Sequence, residues 1–181
     1  MGLNVSDVLT LDDVRLGGKV VLYRVDVNSP LEPSSGAFLD DSRLRAIIPT
    51  LRTLQNSKVV MLGHQSRPGK IDFTNMEQHA DRISRLIGKK VKFISDICGD
   101  EAISSIKNLK IGEMLFLDNI RMHDDENSMK KASLEETAQS EIVRKLSSVI
   151  DVYVTDAFAA SHRNSPSLTG FYDSVPCIAG H

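Results

Sequence analysis

The chain has 181 residues, 41% of them hydrophobic and 25% charged, which suits one well-buried domain. Its formal net charge of −2 gives no support to a nucleic-acid partner. No apolar run approaches the roughly 20 residues of a membrane helix, and the N-terminus lacks the basic start and apolar stretch of a signal peptide. Cys98 and Cys177 are far apart and form no CxxC pair, so we expect two free thiols in a cytoplasmic protein.

Short β-branched runs alternate with helical patterns along the chain, which predicts a mainly parallel sheet wrapped by helices. The predicted strands are residues 20–25, 59–63, 91–94, 114–117 and 152–155. Asp41 or Ser42 is expected to cap a first helix that runs to Leu54, and residues 74–77 fit a capping box for a second helix that stops at Gly88. Apolar residues from Leu134 to Val149 predict a third helix, whereas residues 29–36 are expected to form a loop and 124–131 a solvated polar connection.

Polar and basic residues follow four of these strands, in the segments 26–30, 64–70, 118–123 and 156–163. The carboxyl ends of parallel strands share one edge of the sheet, where open α/β folds bind ligands. We therefore expect a cluster at this edge, and its members are His64, Arg67, Arg121, His162, Arg163 and, near the start of its helix, Arg43. Because the guanidinium fork matches carboxylate and phosphate oxygens, the cluster predicts a site for a small polyanion.

Other chemistries find less support in the sequence. Residues 63–71 resemble a P-loop only superficially, because Ile71 stands where a magnesium-binding Ser or Thr is required, and no GxGxxG occurs. The histidine and cysteine spacings predict no metal site. Asp26 and Asp156 could be paired acid and base carboxylates, but we favour ionised groups that orient the arginines. Ser66 and Ser161 lie near histidines without the GxSxG turn of a hydrolase nucleophile.

Five segments in chain order resemble signature motifs of the phosphoglycerate kinases. Residues 23–31 resemble RVDxNxP, residues 43–51 resemble RIRAxxPTI, and residues 63–68 resemble SHLGRP in the HQSRP form associated with archaeal members. Residues 112–121 resemble GExLLLENxRF, and residues 151–163 resemble DxYVNDAFGxAHR. The chain departs from these patterns at Asp118, Met122, Thr155 and Ala159, and the last of these changes bears on the loop that presents Arg163.

The resemblance implies a three-layer α/β/α Rossmann-like domain, with residues 1–181 as the single N-terminal, substrate-binding domain of a phosphotransferase. Such an enzyme moves a phosphoryl group reversibly between 1,3-bisphosphoglycerate and ADP, giving 3-phosphoglycerate and ATP. Mg-ATP or Mg-ADP would bind a C-terminal domain that this chain lacks, so the chain alone is expected to bind 3-phosphoglycerate and to be inactive.

The resemblance also implies roles for individual residues. Asp26 and Asn28 would contact the carboxylate and hydroxyl end of the glycerate, and Arg43 would face the transferring phosphoryl group as the catalytic residue. The 3-phosphate would be held by His64, Arg67, Arg121 and Arg163. The alternative is a non-catalytic binding module for phosphorylated metabolites, which a reading frame ending at residue 181 would favour.

Overall fold

A parallel six-stranded sheet forms the centre of the protein in the computed structural model, which describes residues 9–157 and 164–180. The strands are β1 (Val20–Arg24), β2 (Lys58–Leu62), β3 (Val91–Phe93), β4 (Met114–Phe116), β5 (Val152–Thr155) and β6 (Cys177–Ala179). The helices are α1 (Ser42–Ala46), α2 (Ile48–Thr53), α3 (Glu77–Ile87), α4 (Asp100–Lys107), α5 (Asp124–Ser128), α6 (Leu134–Ala138), α7 (Glu141–Ser147) and α8 (Pro166–Thr169). The spatial order is β3-β4-β2-β1-β5-β6, and every pair of neighbours is parallel, as the sequence predicts.

The sheet has a hydrophobic core on each face because alternate strand residues point to opposite sides. On one face, Tyr23 and Phe116 belong to a fully buried cluster with Leu51 and Ile83 from the helices α2 and α3. On the other face, Leu22 and Tyr153 share a second cluster with residues of α4 and α7. Helices therefore cover both faces, which confirms the three-layer α/β/α architecture.

Two predicted helix boundaries have different outcomes. The capping box at residues 74–77 is wrong, because α3 begins at Glu77 and its N-cap Met76 has no side-chain cap. Asn75 Oδ1 instead accepts a hydrogen bond from Glu77 N at 3.2 Å. The stop at Gly88 is confirmed, because this residue takes a left-handed conformation (φ of 69°) that glycine adopts without steric cost. The first predicted helix is also divided, into α1 and α2.

The region between β4 and β5 differs most from the prediction. The single helix expected from Leu134 to Val149 is two helices, because Ser140 starts α7 by accepting a hydrogen bond from Val143 N. The polar connection expected at residues 124–131 contains α5, in which Glu126 is buried with 6% of its surface exposed. No helix is predicted at residues 100–107 and no strand at residues 177–179, where the structure has α4 and β6.

Both cysteines are free in the part of the chain that the structure describes, with Cys98 buried and Cys177 half-buried. Burial raises the pKa of the Cys98 thiol to about 11 and that of Cys177 to about 12. Within residues 9–157 and 164–180, none of the helices has the length and apolar character required to cross a bilayer.

Candidate functional site

The backbone turn at Ser66 joins three segments of the predicted cluster at the carboxyl edge of the sheet. Ser66 N donates a 2.7 Å hydrogen bond to Asn28 Oδ1, which follows β1. Ser66 O accepts a hydrogen bond from the Arg121 guanidinium, which follows β4. The residue has a φ of 55°, a conformation uncommon for non-glycine residues, and its hydroxyl donates to Asp72 Oδ1 at 2.5 Å. These contacts determine where the chain presents the next residue, Arg67.

A second set of hydrogen bonds fixes the same loop from inside the protein. The Gln65 amide is fully buried, donates to Ser29 O at 2.9 Å and accepts from Ser29 N at 3.2 Å. Asn119 Nδ2 donates to Gln65 O at 2.8 Å and to Thr74 O at 2.7 Å. The segments after β1, β2 and β4 are therefore tied together by buried amides, and this rigidity suits a binding site.

His79 supports this scaffold as a neutral side chain. Its Nε2 lies 3.1 Å from Gln65 Oε1, and its ring packs edge-on against Phe38 with 4.8 Å between ring centroids. Burial lowers the pKa of His79 to about 4, so the imidazole carries no charge at neutral pH. Because Gln65 Oε1 can only accept, the proton of His79 lies on Nε2.

Arg43 and Asp26 form an ion pair, with 2.5 Å between Nη1 and Oδ2. The Arg43 side chain is 48% exposed and that of Asp26 is 16% exposed. The prediction that Asp26 orients an arginine is therefore confirmed. The half-exposed guanidinium keeps donors available for an anionic ligand.

Among the residues that the structure describes, Asp156 pairs with two hydroxyl groups, and because Arg163 lies outside those residues, the expectation that Asp156 orients an arginine stays a prediction. Its Oδ2 accepts hydrogen bonds from the Tyr23 phenol and, at 2.8 Å, from Thr50 Oγ1. Burial, and then the neighbouring carboxylate, raise the pKa of Tyr23 well above its ordinary value, so the phenol remains a donor. Asp156 thus joins the end of β5 to the end of β1 and to α2.

The remaining predicted residues lie in different environments. The Arg67 guanidinium is exposed and makes no hydrogen bond or ion pair within the described ranges. His64 is buried, with 6% of its surface exposed, and is the second residue after the end of β2. His162 and Arg163 lie outside the described residues.

Arg24 is a buried residue at this edge that the predicted cluster does not include. It ends β1 with only 2% of its surface exposed, and its Nη2 lies 3.2 Å from His64 Nδ1. A charged residue inside an otherwise apolar strand is the signal that could have revealed it, because burying an unpaired charge is costly.

The arrangement provides guanidinium groups from separate strand ends, a buried histidine and amide groups at one edge, which together can bind a small polyanion. No cluster of at least three His, Cys, Asp or Glu side chains suited to a metal ion occurs within the described segments.

Comparison with known proteins gives a consistent picture. The family model for phosphoglycerate kinase matches residues 11–181. The phosphoglycerate kinase of Methanothermobacter thermautotrophicus is 45% identical over 94% of this chain, and that of Archaeoglobus fulgidus is 46% identical over 94%. The crystal structure of phosphoglycerate kinase from Pyrococcus horikoshii superposes with a TM-score of 0.90 at 41% identity, over 95% of this chain. The chain spans only 42%, 41% and 42% of these proteins respectively.

Proposed function

Because the chain belongs to the phosphoglycerate kinase family, we propose that it is the substrate-binding part of a phosphoglycerate kinase and that it binds 3-phosphoglycerate at the carboxyl edge of its sheet. The observation that carries this proposal is the turn at Ser66, which links Asn28, Arg121 and the Arg67 loop. The side chains at this edge supply the charge for a phosphate and a carboxylate, and the family supplies the identity of the acid.

The proposed roles follow the chemistry of the side chains. Arg67, Arg121 and Arg163, with His64, would bind the 3-phosphate through charge-assisted hydrogen bonds. Asn28 and Asp26 would contact the glycerate end, where a carboxylate side chain can accept a hydrogen bond from the substrate hydroxyl.

Arg43 would serve the chemical step in the whole enzyme. A loose phosphoryl-transfer transition state spreads charge over its equatorial oxygens, and an arginine facing it stabilises that charge. Arg43 fits this role because it is half exposed and is oriented by Asp26. This chain's own contribution is thus to bind the acid and to present a cation to the transferring group.

We further propose that the nucleotide, as Mg-ATP or Mg-ADP, binds a part of the enzyme outside this chain, whose sequence contains no phosphate-cradling loop. The chain alone would then bind the acid without turnover, in the cytoplasm. Equilibrium dialysis with labelled ATP tests this division, and specific ATP binding by the chain would contradict it.

Isothermal titration calorimetry of the chain with 3-phosphoglycerate tests the acid site. Arg67→Ala and Arg121→Ala are each expected to weaken binding by about 1.5–3 kcal/mol, the range for hydrogen bonds to charged groups. Arg144→Ala is the matched control, because this arginine lies on α7 and donates to Gln139 O. Unchanged affinity in both Arg67→Ala and Arg121→Ala would refute the phosphate assignment.

A non-catalytic module for phosphorylated metabolites is the second candidate, because the same cations would bind other phosphorylated acids. Titration with a panel of such acids separates the two candidates. The kinase proposal expects 3-phosphoglycerate to bind tightest.

A further inference from the structure

A buried chain of polar groups runs from α5 to the end of β1. Arg24 Nε donates to Ser167 Oγ at 3.1 Å, and this hydroxyl donates in turn to Glu126 Oε1 at 2.7 Å. Ser167 N also donates to Glu126 Oε2, at 3.0 Å. The exposed fractions are 2% for Arg24, 0% for Ser167 and 6% for Glu126. The hydroxyl accepts from the cation and donates to the anion, so it bridges two charges that are both out of water.

The guanidinium is held on its other side by the ends of two strands. Arg24 Nη1 donates to Val25 O at 2.6 Å and to Leu62 O at 3.3 Å, so the group lies between the segments that follow β1 and β2. Its Nη2 then lies 3.2 Å from His64 Nδ1. A guanidinium carries donors only, so Nδ1 must accept this hydrogen bond. A neutral imidazole that accepts at Nδ1 carries its proton on Nε2.

Glu126 also connects the network to the segments that carry the other cations. It belongs to α5, which directly follows the turn containing Arg121, and its neighbour Asn127 donates from Nδ2 to Arg121 O at 2.7 Å. On its other side, Glu126 Oε1 accepts from Ser165 Oγ at 2.9 Å. One buried carboxylate therefore contacts the segment after β5 and, through Ser167 and Arg24, the segments after β1 and β2.

We propose that Glu126, Ser167 and Arg24 are positioning residues that fix His64 in the neutral tautomer protonated at Nε2. In this state His64 donates a hydrogen bond from Nε2 to a phosphate oxygen of the ligand. The assignment of that ligand rests on the proposed function, whereas the tautomer follows from the contacts of Arg24. The bridged charge pair keeps the guanidinium in the one orientation that meets Nδ1, since rotating it would leave a buried donor without a partner.

The tautomer can be measured without any ligand. Long-range ¹H–¹⁵N correlation spectra of the chain distinguish a protonated from an unprotonated imidazole nitrogen, and a His64→Gln variant identifies the His64 signals among the five histidines. We expect Nε2 to be protonated and Nδ1 unprotonated in the wild-type chain at neutral pH. A proton on Nδ1, or an equal mixture of tautomers, would overturn the proposal even if 3-phosphoglycerate binds.

We call the hydrogen-bonded series Glu126–Ser167–Arg24 the relay, and a pair of serine variants tests whether it positions His64. Ser167→Ala removes the bridge between Arg24 and Glu126, whereas Ser165→Ala removes a hydroxyl that contacts the same Glu126 oxygen but not Arg24. Ser167→Ala is expected to mix the His64 tautomers and to weaken 3-phosphoglycerate binding about ten-fold, whereas Ser165→Ala should change neither. A purely structural role would instead lower the stability of both variants and leave the His64 spectrum unchanged in both, which would overturn the relay.

Two further outcomes separate this inference from the proposed function. If the wild-type chain does not bind 3-phosphoglycerate but its His64 spectrum has the expected tautomer and responds to Ser167→Ala alone, the proposed function fails and the relay stands. If Ser167→Ala does not fold, Glu126→Gln replaces it, because this change removes the buried negative charge that Ser167 contacts, and an unchanged His64 spectrum in Glu126→Gln would overturn the relay.

Discussion

The neutral state of His79 makes the stability of the fold depend on pH in a way that can be calculated. In the folded protein the pKa of His79 is about 4, whereas an exposed histidine titrates near 6.5. Between these two pKa values the unfolded chain protonates His79 and the folded chain does not. The free energy of unfolding therefore falls as the pH drops from about 6.5 toward about 4. From about pH 7.5 to about pH 5 this one group is expected to cost about 2 kcal/mol of unfolding free energy.

Urea denaturation at a series of pH values measures this loss, with His79→Gln as the comparison. Glutamine is uncharged at every pH, and its amide can donate to Gln65 Oε1 as His79 Nε2 does. Carboxylates nearer the surface, such as the partly exposed Asp41, whose pKa is lowered by hydrogen bonds from Arg45 and Arg82, add their own acid sensitivity to both proteins. The difference between the two curves therefore isolates His79. Parallel curves across this pH range would refute a buried, neutral histidine.

Three more substitutions test the site and its supports. Gly180→Ala would push a methyl group into the Asp156 carboxylate and should lower the free energy of unfolding in urea by about 1–3 kcal/mol. Gly17 has open space around it, so Gly17→Ala should not be destabilising. Equal stability of the two variants would contradict the close approach of Gly180 to Asp156. Ser66→Val places a β-branched residue at a φ of 55°. It should weaken 3-phosphoglycerate binding, measured by calorimetry, more than Ser66→Gly does. The reverse order would argue against backbone strain at this turn. Arg43→Ala in the full-length enzyme should lower kcat more than it raises KM. Arg45 lies on the same helix as Arg43 but pairs with Asp41, so Arg45→Ala should leave both constants unchanged. An unaltered kcat in Arg43→Ala would count against its role.

Five of the six strands, and the polar edge at which they end, are predictable from the sequence because their signals are local. Apolar runs such as residues 20–25 indicate buried parallel strands, and the polar residues that follow them must meet at one edge. Among the described residues, the ion pair of Asp26 with Arg43 and the link from Asn28 through Ser66 to Arg121 follow from that topology.

What the sequence could not predict depends on contacts between distant residues. The helix α5 has no apolar stripe, and its Glu126 is buried by partners some 40 residues away, so its local pattern predicts a solvated loop. The strand β6 is three residues long and is defined by its pairing with β5. The hydrogen bonds from Tyr23 and Thr50 to Asp156 join β1 and α2 to the end of β5, and no local pattern in the sequence indicates them.

The strand order has a consequence for how this molecule assembles. The central strand β1 lies between β2 and β5, and Val20 N donates to Asp151 Oδ2 across a separation of 131 residues. Contacts that close such long loops form slowly, because the entropy of closure must be overcome before the pairing contributes. During synthesis, one edge of β1 would therefore stay unpaired until residues 152–155 have left the ribosome, because that edge pairs with β5 in the folded protein. Nascent chains that stop short of β5 should expose that edge and be prone to aggregation, whereas those that include it can close the sheet around its central strand.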